Sequence, residues 1–486
     1  MSFFPDIMRQ PISILNAKTI LMYKLTTNFT PENEIEEEVR PFEPFLNGDI
    51  EIVHTAINKD GKNVLNTVKL PDKEYSFTNI ITSKEDIAVK REYKRMCRHA
   101  VYSALSDYTG RKMPWGSLTG IRPTKLAYEY LAFGGNKEHI AEYLSKNFDV
   151  LPKKAKIIQN IVLCQAQYYC ISPDFVNLYV HIPFCPTKCT YCAFVTHLVD
   201  KCKDIIPLYT RLLVKEIEQS IRLIHRNGQK IYSIYVGGGT PSALPDEQFE
   251  EVLSALSGHN VEFTCEAGRP DSITPDKAAI MKRCGVSRVC VNPQTLNEST
   301  LTAIGRRHSA QDFIDSYKLM RDAGFDINVD LIAGLEGENS ADFMYSLKKV
   351  EALQPQNITV HTLSVKNGSF LKNSGDDVYN SYTSEMVEKA YEFLLSSGYA
   401  PYYLYRQKHM LDNLENIGYS LPGKICVNNV TTMEETLSVI ACGAGAISKR
   451  IFPQGRIERL ANLRDAKLYI DQFDERLEKK LKFFEK

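Results

Sequence analysis

Between about residues 173 and 370 the sequence alternates six short apolar runs with longer stretches of helical periodicity, and this alternation limits the fold more than any other feature. The apolar runs are Asn177–Ile182, Ile231–Val236, Val261–Glu266, Val286–Asn292, Asp326–Ile332 and Asn357–His361. Runs of that length, bounded by turn residues, read as buried strands. The stretches between them place apolar residues three and four apart. In Pro207–Arg226, for example, Leu208, Leu212, Ile217, Ile221 and Ile224 are in helical phase, and Asn227-Gly228 closes the run. Six β-then-α units predict an α/β fold with a parallel sheet and right-handed crossovers. Six units fall short of the eight of a closed barrel.

The first strand runs into Pro183-Phe-Cys185-Pro-Thr-Lys-Cys189-Thr-Tyr-Cys192. Pro183 ends the strand, so three cysteines fall on the loop beyond its carboxyl end. That end is where α/β sheets and barrels place their chemistry. Three thiolates on one short loop suit a metal or an iron–sulfur cluster, and three ligands to a four-iron cluster leave one iron open. Structural zinc takes four protein ligands, and the nearest other donor, His181, belongs to the strand. Three buried structural cysteines, or half of a zinc site, are the plainer readings.

Other polar residues gather at the same ends of later strands. Gly237-Gly-Gly-Thr240-Pro follows the second strand, where glycines let the backbone approach a ligand closely. Glu266 ends the third strand, Gln294 follows the fourth, Arg306 lies twelve residues further on, and Asp330 lies in the fifth. Carboxylates and an amide hydrogen-bond hydroxyl groups, and a guanidinium pairs with a carboxylate. Each alone reads as a cap or a salt bridge; their joint placement beside the cysteine loop points to cofactor binding.

Cys185-x-x-x-Cys189-x-x-Cys192, with Tyr191 before the last cysteine, resembles the radical S-adenosylmethionine signature. The preceding Tyr179-x-His181-Ile-Pro-Phe-Cys185 is similar to the oxygen-independent coproporphyrinogen III oxidase (dehydrogenase) group, and Trp115–Lys125 resembles its HemZ-type branch. The resemblance implies a partial (β/α)6 barrel. It also implies a [4Fe–4S] cluster on Cys185, Cys189 and Cys192, with S-adenosylmethionine on the open iron. Tyr179, Tyr191, Gly238, Gly239, Thr240, Glu266, Gln294, Arg306, Asp330 and Thr362 match the family's positions for that cofactor.

The implied reaction converts two propionates of coproporphyrinogen III to vinyl groups, giving protoporphyrinogen IX. The implied partners are a tetrapyrrole and a low-potential electron donor of flavodoxin or ferredoxin type. A tetra-anionic macrocycle needs cations, for which Arg122, Arg306, Arg307, His308 and Arg406 are candidates. One departure stands out. The best-understood members carry a fourth cysteine two positions after the third, where this chain has Phe194, as the haem-chaperone relatives and the HemZ-type branch both do. A haem-delivery protein, a haem-opening radical methyltransferase and, less in keeping with the charge balance, an RNA-modifying enzyme therefore stay open. The long N-terminal region and the Trp115 loop speak against the chaperone, whose relatives lack them.

Lys plus Arg equals Asp plus Glu, 59 each in 486 residues, which offers nucleic acid no electrostatic hold. No run is long enough to span a membrane, and twelve cysteines without a secretion signal predict a reducing cytoplasm. Outside the barrel, residues 1–90 read as a small α/β module with strands at Thr19–Lys24 and Ile50–His54. Residues 91–172 read as a helical segment. Residues 371–486 read as an α-rich C-terminal extension whose last helix, from Asp474, covers the barrel mouth, packs on its flank or meets a partner.

Overall fold

The computed structural model describes residues 23–46, 48–58, 60–118, 122–194, 196–364, 380–407 and 410–485. Its contacts divide the chain into two compact units, Met1–Thr119 and Gly120–Lys486.

The first unit is built on a four-stranded sheet of β1 (Lys24–Thr27), β2 (Glu51–Asn58), β3 (Asn63–Leu70) and β4 (Lys73–Ile80). β1 runs parallel to β2, and the remaining pairs are antiparallel. Most of the first predicted strand, residues 19–22, lies outside the described residues. In the β2–β3 turn the Asp60 carboxylate accepts from the backbone N–H groups of Lys62 and Asn63, as a tight hairpin requires. Helix Asp86–Thr109 stops at Gly110, whose φ of 66° supplies the left-handed cap. Its stripe of Cys97, Val101 and Leu105 is buried in one core with Val68 of the sheet and with Ile35, Val39 and Phe42. That shared core puts the helix in the first unit. The boundary expected at residue 90 therefore falls after this helix, and the 91–172 segment is split between the units.

The second unit carries an eleven-stranded sheet. Its parallel heart is β5 (Phe175–Ile182), β8 (Lys230–Gly238), β9 (Glu262–Gly268), β10 (Arg288–Val291), β11 (Asp326–Ala333) and β12 (Asn357–Thr362), each hydrogen-bonded to the next. All six predicted strands are present. Between β5 and β8 a two-residue pair, β6 (Phe184–Cys185) and β7 (His197–Leu198), closes the neck of the cysteine loop. Helices Ile206–Arg226, Asp246–Ser254, Pro275–Arg283, Ala310–Asp322 and Ser340–Glu351 return the chain between strands. Two of them begin with full capping boxes, Ser309 with Asp312 and Asn339 with Asp342, which fixes where each loop ends.

The extension is α-rich, as expected, and it also adds five strands to the same sheet. β13 (Ala400–Tyr405) and β14 (Asn416–Ser420) continue it antiparallel beyond β12. β15 (Ser438–Cys442) pairs parallel to β5, followed by antiparallel β16 (Ile447–Ile451) and β17 (Ile457–Ala461). Among the described residues no pairing joins β13 to β17, so the barrel is open. The last helix, Phe473–Phe484, takes the flank: it packs on helix Ile206–Arg226, where Lys480 forms a buried ion pair with Glu216. Among the described residues no helix is long and apolar enough to cross a membrane.

Candidate functional site

Parallel pairing puts the carboxyl ends of β5 and β8–β12 at one end of the sheet, and the cysteine loop leaves from the first of them. The loop is held by backbone. Thr190 N donates to Ile304 O at 3.2 Å, Cys192 N to Cys189 O at 3.2 Å, and His197 N to Pro183 O at 2.7 Å. Thr187 Oγ1 adds a bond to Gly305 O at 3.2 Å. Gly305, with φ 76°, has its Cβ position 3.2 Å from Lys188 O, so the turn before Arg306 presses directly on the loop.

The glycines at the end of β8 press on it from the other side. A Cβ on Gly239 would stand 2.6 Å from Phe184 O and 3.0 Å from the Cys185 sulfur, and one on Gly238 (φ 109°) would stand 2.9 Å from the His181 ring. Thr240 is buried and its hydroxyl lies 3.5 Å from Cys185 Sγ. Burial pushes the Cys185 thiol up, the Thr240 hydrogen bond pulls it down, and Cys192 and Cys189 push it up again. Cys185 therefore lies within electrostatic reach of both other sulfurs. Among the described residues no three His, Cys, Asp or Glu side chains are grouped as for one metal ion. A four-iron cluster takes each cysteine on a different iron and so accepts more widely spaced sulfurs.

The polar residues predicted from strand ends gather into separate hydrogen-bonded groups at that end of the sheet. Tyr235 Oη donates to Glu266 Oε1 at 2.6 Å and Gly238 N donates to Oε2 at 3.2 Å. Burial nevertheless pushes Glu266 up to about 7, with Asp330 adding to the rise. Asp330 goes the other way. Burial works against its charge, but hydrogen bonds from His361, Asn328 and Thr359 hold it below the usual carboxylate range. Asn292 Nδ2 reaches Asp330 Oδ2 at 2.8 Å. Two neighbouring carboxyls with acidities pushed apart are a common mark of a binding or catalytic site. Tyr179 Oη lies 3.1 Å from His181 Nδ1, and burial pulls that imidazole down to about 4, leaving it neutral.

Arg306 extends Nη2 to Tyr191 Oη at 2.8 Å and Nη1 to Asn292 O at 3.3 Å. Gln294 adopts φ 72°, unusual for a non-glycine residue, while its backbone bridges Asp330 O and Ile332 N. Gln294 Oε1 and Arg306 Nε are buried without a hydrogen-bond partner in the chain. Buried polar atoms are almost always satisfied, so two unsatisfied ones in one cup match a polar ligand that completes them. Thr362 is the last residue of β12, and its hydroxyl donates to Glu415 O at 2.7 Å, so it joins sheet to extension.

The five candidate cations separate. Arg122 pairs with Glu435, which precedes β15 and so lies at the amino end of the strands, away from the cysteine loop. Arg307 is exposed, and His308 is buried and drawn down to about 4 by burial and by Arg306, hence neutral. Arg406 follows β13, whose carboxyl end is at the same end of the sheet as that of β12 with β14 between them, and its Nη2 donates to Asn413 O at 3.3 Å. Sequence reasoning missed Arg269, Asn292, His361 and Tyr405. His361 bridges Asp330 (3.5 Å) and Tyr405 (3.3 Å). Its position in the sixth strand was the available signal. Phe194, two residues past Cys192, is 58% exposed.

Residues 179–350 match the Radical SAM superfamily. The chain is 37% identical to the oxygen-independent coproporphyrinogen-III oxidase-like protein HemZ of Bacillus subtilis, over 84% of each chain. It is 26% identical to the haem chaperone HemW of Escherichia coli, over 60% of this chain and 74% of that one. The structure resembles coproporphyrinogen III oxidase (HemN) from E. coli, with a TM-score of 0.50 and 22% identity, covering 64% of this chain and 72% of that one, which is a likeness of fold. The superfamily's cofactors are a [4Fe–4S] cluster and S-adenosylmethionine. On the cysteine loop, the strand-end polar groups and its extent of relatedness, this chain belongs to the radical SAM superfamily and, within it, to the HemZ-like family.

Proposed function

We propose that the chain removes carbon dioxide oxidatively from two propionate side chains of coproporphyrinogen III, leaving the vinyl groups of protoporphyrinogen IX. Cys185, Cys189 and Cys192 hold the cluster. Gly238, Gly239, Thr240, Glu266, Gln294, Arg306 and Asp330, with Tyr179 and Tyr191, hold S-adenosylmethionine, and Thr362 supports the rim through Glu415. When bound, these cofactors supply hydrogen-atom abstraction from an unactivated carbon, driven by one electron from a low-potential donor of flavodoxin or ferredoxin type. Each propionate then loses one hydrogen atom, one carbon dioxide and one electron, the last to an acceptor.

The chain's own part is alignment, water exclusion and charge. The carboxylate of Asp330 and the amide of Gln294 suit ribose hydroxyls, Glu266 suits an amino group, and Arg306 suits a carboxylate. The observation that carries the reading is the β12–β13 side of this cup. There Tyr405 stacks on Tyr403 (ring centroids 6.3 Å apart, planes 6° apart) and meets His361, with Arg406 next in the chain. An aromatic wall beside a buried cation suits a flat macrocycle bearing carboxylates. The HemZ relationship, which extends far beyond the barrel, supports it further.

A haem-delivery role is the second reading, favoured by exposed Phe194 where a fourth cysteine would stand. Anaerobic incubation of the loaded protein with coproporphyrinogen III, S-adenosylmethionine and a reductant separates the two. Protoporphyrinogen IX and carbon dioxide are expected. Tight haem binding with no product overturns the proposal in favour of delivery, and a ring-opened linear product overturns it in favour of a methyltransferase.

A further inference from the structure

We propose that Arg269 sets how readily the cluster accepts an electron, by placing a buried guanidinium against the sulfur of Cys189. The inference rests on the assignment of Cys185, Cys189 and Cys192 as cluster ligands.

Arg269 follows β9 and is only 3% exposed. Two of its nitrogens are committed to one carboxylate: Nε lies 3.0 Å from Asp271 Oδ1 and Nη2 lies 2.9 Å from Asp271 Oδ2. A guanidinium is planar and rigid, so a two-point hold on Asp271 fixes the direction of the remaining nitrogen. That nitrogen, Nη1, faces the cysteine loop. It lies 2.6 Å from Thr187 Oγ1, 3.4 Å from Thr187 O and 3.7 Å from Cys189 Sγ, the last within range of an N–H···S contact.

Pinning the loop does not by itself account for a buried charge here. The Ile304–Gly305 turn already holds the loop through neutral hydrogen bonds. A neutral donor at this position would serve Thr187 as well, without the desolvation that a buried cation incurs. What a cation adds is electrostatic. Reduction adds a negative charge to the cluster, and nearby positive charge and hydrogen bonds to the ligand sulfurs stabilise the reduced form. Cys189 receives this from two directions. Arg269 touches it directly, and Arg306, which holds the hydroxyl of Tyr191 in the same loop at 2.8 Å, is a second cation close by. The nearby His308 is neutral and adds no charge.

The test is a redox titration, followed by electron paramagnetic resonance, of full-length protein loaded anaerobically with iron and sulfide. Arg269→Gln is expected to bind wild-type amounts of iron and sulfide, and its midpoint potential is expected to be more negative. Thr187→Val, which removes the hydroxyl bonds to Arg269 and Gly305 and leaves the guanidinium in place, is expected at the wild-type potential. A fully loaded Arg269→Gln protein with an unmoved potential overturns the proposal, and so does a shift in Thr187→Val as large as that in Arg269→Gln. Should Arg269→Gln fail to load, Asp271→Asn decides. It keeps the cation and removes the carboxylate that offsets it, so its potential is expected to be less negative than wild type, and an equal or more negative value overturns the proposal. Wild-type protein that takes up no cluster overturns the ligand assignment as well, whereas an unmoved potential in a loaded variant overturns only the role of Arg269.

Discussion

Glu266 accepts a 2.6 Å hydrogen bond from Tyr235, yet burial still lifts its carboxyl from 4.5 to about 7. Between those two values the folded chain keeps a proton that the unfolded chain has released, so this group's contribution to stability falls as pH rises through that window. The full difference is on the order of 3 kcal/mol. His181 and His308, drawn down to about 4, act in the opposite sense, because the unfolded chain binds their protons first. Comparing wild type with Glu266→Gln isolates the carboxyl. Cofactor-free Glu266→Gln should gain stability relative to wild type on going from pH 5 to pH 7.5. Urea unfolding at both pH values checks this, and a constant difference between the two proteins counts against it.

Arg306 and Tyr191 make a second linked pair, with Nη2 to Oη at 2.8 Å. A charge-assisted hydrogen bond in a buried cup is worth about 1.5–3 kcal/mol. Arg306→Ala should therefore weaken S-adenosylmethionine binding by roughly 10- to 100-fold. Arg306→Lys should recover only part of that, because a lysine lacks the planar fork. Tyr191→Phe, which removes a hydroxyl and leaves the cation, should cost less than either. Equilibrium dialysis against the anaerobically loaded protein measures all three, and wild-type affinity in Arg306→Ala would show that the guanidinium faces no ligand.

What could be read from the chain alone divides by the range of the interaction. The six parallel strands and the cysteine loop are local. Buried runs, Pro183 and the glycine triplet each announce themselves within a few residues. One of the two partners of β5 is not local. β15 reaches it from more than 250 residues away, and the only trace in the sequence is the run Ala441-Cys-Gly-Ala-Gly. At Gly443 (φ 97°) a Cβ would stand 2.2 Å from His181 O, so the glycine exists for a contact that only the folded sheet creates. Arg122 looked available for an anionic substrate because Glu435, which pairs with it, is 313 positions later. Arg269 was passed over for the same reason, since the loop that gives it meaning lies about 80 residues before it. Helix Asp86–Thr109 announces itself by periodicity, and β2 by the run Ile50–His54, but that the one packs on the sheet of the other does not show locally.

The buried pair of Lys480 and Glu216 ties the last helix to the barrel. Glu216 also receives Tyr469 Oη at 2.7 Å, Gly443 N at 2.7 Å and Asn462 Nδ2 at 2.9 Å. Lys480→Met would leave a carboxylate buried among groups arranged for its charge, and breaking such a pair costs about 3–5 kcal/mol. Adding Glu216→Gln to that variant should restore part of the loss, because the unpaired charge is gone. Thermal unfolding of the single and double variants checks both expectations. A double variant no more stable than Lys480→Met would mean that packing, rather than charge, holds the helix.

The cysteine loop itself should be separable from the fold. It is held by backbone bonds from Thr190, Cys192 and His197, none of which uses a cysteine side chain. Cys185 and Cys192 are only half-buried, while Cys189 is 8% exposed. Alanine at Cys185 or Cys192 should therefore change the stability of the cofactor-free protein by no more than about 0.5 kcal/mol, as substitutions outside a core usually do. The effect on loading should be far larger. Each single variant should lose most of its iron and sulfide, and the triple variant should lose the cluster absorbance altogether, because a four-iron cluster held by three cysteines has no spare protein ligand. Iron and sulfide analysis beside a urea melt of the cofactor-free form measures the two effects independently. A triple variant that still binds four irons would place the cluster on other residues, and a collapse of the cofactor-free fold would mean that the thiols pack as core.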